Sequence, residues 1–305
     1  MKLVTYRANT EAEGRLGVII SDFDIIVDVE SLGINFGIDL PKTMLEFIDL
    51  GNIGVKALDK IIKESAVTDL VTCSIPFENA ILLAPIPRPR KNIFGIGLNY
   101  TEHVAESART LDTSKELPQK CVIFSKPPTT VIASGDPIKH NEEITQQMDW
   151  EGELAVIIGK KATKVSKEKA LDHVFGYTII NDISARDCRR SGQWIVSKGQ
   201  DTYAPMGPMI ITADELTDPH NLDIITKVNG IEKQNGNTKF MLFNVNDIIE
   251  DISECISLEP GDIIATGTPA GVGAGRDPQE FMFPGDVVEI TIEPIGTLKN
   301  PIVKA

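Results

Sequence analysis

The sequence predicts an α+β, β-rich fold, with a small mixed N-terminal unit over residues 1–85 and a larger, mainly β unit over 86–305. Three observations predict it. Short apolar runs bounded by turn residues recur along the chain, as strands do. One stretch near the N-terminus instead carries apolar residues at helical spacing. Between the two units "APIPRPRKN" places Pro85, Pro87 and Pro89 at alternate positions, which favours a stiff, extended connector.

In the first unit "KLVTYRA", "RLGVIISD" and "DIIVDVE" read as strands, with "SDFD" as a hairpin turn between the last two. Met44, Phe47, Ile48, Val55, Leu58, Ile61 and Ile62 then recur at helical spacing, and Gly51 is placed to divide that stretch into two helices. In the second unit "KNIFGIGLNY", "CVIFSKP", "ELAVIIG", "VFGYTIIND", "PMIIT", "DIITKVNG", "DIIATGT" and "DVVEITIEPIG" read as strands. Helices are expected near 101–109, 166–173 and 245–257. "PGD" precedes a strand twice, at 260–262 and 284–286, and Pro followed by Gly suits the centre of a type II turn.

Composition narrows the function classes. The chain has 305 residues and a formal charge of −14, which argues against nucleic acid as a partner because that binding rests on Lys and Arg meeting phosphates. An acidic molecule also repels anionic ligands at long range, so an acid that binds must be received by a local cation. The four cysteines stand far apart with no C-x-x-C pair, so a reducing compartment is expected and a thiolate metal site is not. No apolar run approaches the roughly 20 residues of a membrane helix, and the N-terminus lacks a signal-peptide pattern. These features together place the chain in the cytoplasm as an expectation.

"MDWEGELAVIIG" (148–159) carries two glutamates where a core strand begins. Residues two apart on a strand share a face and stand about 6.5 Å apart, so Glu151 and Glu153 can converge on one object. Beyond them both faces turn apolar, Ala155 and Ile157 on one and Leu154, Val156 and Ile158 on the other. Neighbouring carboxylates repel unless a proton or cation lies between them. A second core-like strand in "VFGYTIINDISARD" ends at Asp182, with Asp187 an alternative third ligand by spacing. Three such carboxylates form an all-oxygen site suited to Mg²⁺ or Mn²⁺, with Ca²⁺ possible, rather than zinc.

In "NYTEHVAESARTL", His103 and Glu106 lie three apart and share a helical face, an arrangement for general acid–base work. The long polar stretch that follows, 107–120, would let this helix act as a lid. Lys198, in "VSKGQDTYAPMGP", supplies a cation for substrate charge. "GTPAGVGAG" (267–275) lacks the spacing of a phosphate loop and reads as a loop rimming a site.

The ordered set "GIGLNYTEHVAE", "DWEGELAVIIG", "GYTIINDISARD", "SKGQDTYAPMGP", "LEPGDIIATGTPAGVG" and "PGDVVEITIEPIGTLKN" resembles the fumarylacetoacetate hydrolase family from about residue 90 to the C-terminus. The resemblance implies a rolled, mixed β-sheet catalytic domain and, commonly, a homodimer. It implies Glu151, Glu153 and Asp182 as metal ligands, His103 and Glu106 as a lid-borne pair, Lys198 as a substrate-facing cation and Thr268 as a substrate contact. The family's usual "SARD-x-Q" is here "SARDCR", so Arg189 stands where glutamine is common and would favour a second substrate carboxylate if it faces the pocket. The activity expected first is metal-assisted cleavage of a carbon–carbon bond beside a carbonyl in a small 2-oxo or 1,3-dicarbonyl acid, by hydrolysis or decarboxylation. An isomerase or hydratase-type lyase sharing the enolate is the alternative. A catalytically silent binding protein is the rival from another class.

Overall fold

The structure is a computed structural model describing residues 1–110, 116–190 and 192–305, with backbone alone for 107–110. Part of the expected lid connection, 111–115, therefore lies outside the described residues.

Apolar alternation and tight turns build one large mixed sheet. Its strands run in the order Ser74–Pro76, Ile25–Asp28, Arg15–Ile20, Lys2–Arg7, Ala204–Thr212, Val174–Asn181, Gly152–Ile158, Ile263–Ala265, Ile93–Gly97 and Val122–Lys126. Strands from the two expected units thus join a single sheet, because Lys2 and Leu3 pair with Ile211 and Ile210. We retain 1–85 and 86–305 as proposed units, distinguished by sequence pattern and not by a break in the sheet. A second sheet orders Ile231–Asn237, Asp223–Val228, Val287–Ile292, Gly296–Lys304 and Ile138–His140.

The strand Gly152–Ile158 is buried along its length, and its two faces enter two cores. Ala155 and Ile157 join the N-terminal helices in a cluster with Met44, Phe47, Ile48 and Leu58. Phe47 meets Phe175 edge-on, with ring centroids 6.3 Å apart. Leu154, Val156 and Ile158 pack with Ile290 and Leu298 of the second sheet and with Ile248 and Ile252 of the helix Val245–Cys255. The glutamates stand where this doubly buried strand begins.

Several expectations hold in detail. The helix Met44–Glu64 breaks at Gly51. Both "PGD" turns close as expected, with Gly261 and Gly285 at φ of +86° and +104° and N–H groups of Asp262 and Asp286 donating to Glu259 and Phe283. The helix near 166–173 is a 3₁₀ helix, Lys167–His173.

Several strands escaped the sequence reading, and two of them show the physical reason. Ile231–Asn237 buries an amide, Gln234, in an otherwise polar run. Gly296–Lys304 alternates Leu298, Asn300 and Ile302 inward, and the buried Asn300 interrupts the apolar pattern. Its side-chain amide donates to the carbonyls of Ala133 and Asp136.

Candidate metal centre and active site

Strand register brings the acidic residues together. Gly152–Ile158 pairs antiparallel with Val174–Asn181, Gly152 opposite Asn181. Glu151, just before one strand, therefore lies beside Asp182, just after the other, and the Asp182 N–H donates to the Glu151 carbonyl at 2.9 Å. Glu151, Glu153 and Asp182 are all buried, and each offers a carboxylate oxygen within 4.8 Å of the others. Asp187, the alternative by spacing, is not part of this cluster. Its carboxylate instead accepts the Thr145 hydroxyl and the Gln146 N–H.

Buried cations surround the three carboxylates. Lys198 ends the short helix Ile195–Lys198, and its ammonium donates to Glu151 at 2.8 Å and to Asp182. Lys126, fully buried, donates to the other Asp182 oxygen at 2.5 Å. Arg186 pairs with Glu151 at 2.7 Å and with Asp149 at 2.8 Å. The sequence reading foresaw Lys198 but neither Lys126 nor the Arg186–Asp149 pair, although "SKP", "SARD" and "DWEGE" contain them.

These charges set the protonation of the three carboxylates. Burial acts to raise the Glu151 carboxyl, but Lys198 and Arg186 outweigh it and hold Glu151 below its ordinary range. Glu153 is raised well above its ordinary value, first by burial and then by Asp182 and Glu151. It accepts the Gly267 N–H at 2.8 Å. A carboxylate crowded by two others in a buried place calls for a proton or a cation. The donor set is all oxygen, so the cluster fits a hard divalent ion. With Asp149 included, four carboxylates face three cations, and a divalent ion would leave the site positive and able to receive an acid.

The second group arrives from the helix Thr101–Thr110. His103 and Glu106 are both buried, and His103 Nδ1 lies 3.3 Å from a Glu106 oxygen. Glu106 also accepts the Gly271 N–H, which fastens this helix to the loop 267–275. Asp149 holds the same loop, accepting the N–H groups of Gly273 and Ala274 at 2.6 and 3.0 Å. The loop read from sequence as a rim is thus a structural latch. Thr268 donates to the Gly152 carbonyl and accepts from Gln234, so Gln234 positions a rim residue that the sequence reading did not credit.

One cleft is lined by His103, Glu151, Arg186, Arg189, Lys198 and Thr268, among others. It brings together the expected acid–base residue, one of the carboxylates, the expected cation, the expected hydroxyl and Arg189. All four cysteines are free thiols. Among the described residues no helix is long and apolar enough to cross a membrane.

The model of the fumarylacetoacetate (FAA) hydrolase C-terminal family matches residues 92–303. The oxaloacetate tautomerase YisK of Bacillus subtilis is 49% identical over 222 residues, covering 72% of each chain. The mitochondrial oxaloacetate tautomerase fahd2 of Xenopus laevis is 37% identical over 306 residues, covering 99% of this chain and 90% of its own. The maleylpyruvate hydrolase of Sphingobium sp. SYK-6, solved in complex with manganese(II) ion and pyruvate, is 30% identical, with a TM-score of 0.78 and full coverage of both chains. With the family match spanning most of the chain and a relative 37% identical over nearly all of it, this protein is an enzyme of the fumarylacetoacetate hydrolase family.

Proposed function

We propose that this protein is a divalent-metal-dependent enzyme that interconverts the keto and enol forms of a small 2-oxo acid of the oxaloacetate type. The observation that carries the reading is the buried carboxylate cluster Glu151, Glu153 and Asp182, with Glu151 lining the same cleft as His103. Those three residues would hold Mg²⁺ or Mn²⁺. A bound divalent ion would polarise the 2-oxo group and favour the charge that develops on its oxygen. His103, oriented by Glu106, moves the proton at the carbon beside the carbonyl. Lys198 meets the anionic head of the substrate while restrained by Glu151 and Asp182, and the Thr268 side lines the cleft. Tautomerisation needs only this proton movement, and the carbon skeleton survives. The names of the two tautomerase relatives support this ordering over the cleavage expected first from sequence.

Cleavage of a carbon–carbon bond is the second reading, favoured by the hydrolase relative with manganese and pyruvate. There His103 activates water instead of transferring a proton to carbon. We further propose a cytoplasmic setting, which the free thiols support.

The test is to give Mg²⁺-loaded protein oxaloacetate and, separately, an acylpyruvate, following enol absorbance and NMR spectra against a chelator-treated control. Faster enol–keto exchange of oxaloacetate with no new carbon product is the expected result. Enzyme-dependent pyruvate and CO₂, or pyruvate with a second acid, would replace tautomerisation by cleavage. Enol decay no faster than in buffer would overturn the first reading.

A further inference from the structure

Arg189 lines the cleft beside the groups already assigned, and its mounting is specific. Its guanidinium carbon lies 5.2 Å from the centre of the Trp194 ring. Trp194 lies 5.3 Å from the ring of Phe124, and Phe124 carries the Lys198 ammonium 4.7 Å from its own centre. Two cations are thus mounted on the two members of one aromatic pair, each at cation–π distance. Lys198 is engaged by Glu151 and Asp182, and Arg189 stands on the other ring of the pair.

The backbone is shaped to admit this pair. Trp194 packs on the strand Ile93–Gly97 at residue 97, where a Cβ would stand 2.5 Å from its ring. Burial first, and then the charge of Arg186, push the Arg189 guanidinium below its ordinary pKa. A guanidinium held against an indole loses less freedom on meeting a carboxylate than a loose lysine does.

We propose that Arg189 is a specificity-determining residue that receives a second, distal carboxylate, so that the enzyme selects dicarboxylic over monocarboxylic 2-oxo acids. This rests on the reading that the metal centre takes the 2-oxo acid end. Glutamine, common at this position in the family, offers hydrogen bonds without the charge. Phe124 and Trp194 fix the relation between the two cations, so the cleft reads the separation of two carboxylates as well as their presence.

The test is calorimetric titration of the Mn²⁺-loaded protein with malate, lactate and oxalate. Malate and lactate share a 2-hydroxy acid head and differ in the distal carboxylate, whereas oxalate tests the head site by itself. Wild type is expected to bind malate about 10–100-fold more tightly than lactate, the range of a hydrogen-bonded charge pair. Arg189→Gln should bring malate down to the lactate level while oxalate still binds. Gly97→Ala, which disturbs Trp194 and leaves Arg189 in the chain, should narrow the same ratio. A malate preference that survives Arg189→Gln, or equal malate and lactate binding by wild type that binds oxalate, would overturn the assignment of Arg189. Should Arg189→Gln lose oxalate too, Gly97→Ala decides: a narrowed ratio upholds the assignment and an unchanged one overturns it. Failure of wild type to bind oxalate would instead overturn the reading of the metal centre.

Discussion

Glu106 accepts the backbone N–H of Gly271 with both carboxylate oxygens, at 3.1 and 3.2 Å, so the helix that carries His103 is clasped to the glycine-rich loop. Gly275 makes the clasp tight, because a Cβ there would stand 2.0 Å from the Glu106 carboxyl carbon. Glu106 is held from two sides and has little room to give way. Gly275→Ala should therefore lower kcat by about 100-fold, the scale of an ångström-sized misplacement, with the circular dichroism spectrum unchanged. Wild-type turnover in this variant would show that the clasp does not position His103.

The proposed proton-moving pair is separable from the proposed metal ligands. His103→Ala or Glu106→Gln should cost about 10²–10⁴ in rate while Mn²⁺ binding, followed by electron paramagnetic resonance, persists. Full activity in His103→Ala would remove it from the mechanism.

Glu153 carries a sharper test because its carboxyl is raised well above its ordinary value by burial and by its two acidic neighbours. An amide resembles the protonated form, so Glu153→Gln should leave the metal-free melting temperature at or above that of wild type. The rise in melting temperature on adding Mn²⁺ reports metal binding, and it should largely vanish in the variant. Removing metal from wild type with a chelator should abolish turnover and restore the metal-free melting temperature. A full Mn²⁺-induced rise in Glu153→Gln would exclude Glu153 as a ligand.

Asp28 supplies a pH dependence remote from the site. Burial acts to raise its carboxyl, but hydrogen bonds from Arg15 and Ser31 outweigh burial and hold it below the ordinary range. Arg15 reaches it at 2.6 and 2.7 Å. A carboxylate depressed on folding stabilises above its unfolded pKa of about 4, and that stability is lost as pH falls through the lower folded value. Asp28→Asn should cost about 1–2 kcal/mol at pH 7, a figure kept low because Arg15 is 35% exposed and screened. The deficit should shrink toward pH 3 in urea unfolding, and a deficit that grows on acidification would contradict the assignment.

Much of the site was legible in sequence because its residues sit at the ends of strongly patterned segments. Glu151 and Glu153 precede a run of apolar residues, and Asp182 follows another. His103 and Glu106 share a helical face at a spacing that any amphipathic helix reveals. Spacing left Asp187 open as a ligand, and the family resemblance favoured Asp182. The register that sets Gly152 opposite Asn181 put Asp182 beside Glu151 and left Asp187 with Thr145 and Gln146.

Lys126 illustrates what remained hidden. It ends a strand that reads as an ordinary edge segment, yet it is buried against Asp182, 56 residues away. Asp149 holds the loop N–H of Gly273 across 124 residues, and Gln234 joins Thr268 across 34. No local pattern marks such residues, since a buried lysine, aspartate or amide takes its partner from another part of the chain.

The sequence by itself determined the β-rich architecture, the two apolar faces behind the glutamates, the helix that carries His103 and Glu106, and the oxygen-rich character of the proposed metal site. These follow from periodicity and residue chemistry, which act over a few positions. Tertiary structure alone decided which cations balance the carboxylates, which carboxyl is raised, how the helix Thr101–Thr110 is clasped and where Arg189 stands relative to Lys198. Those properties depend on burial and on charges brought close by strand pairing, and neither exists until distant segments share one sheet and one core.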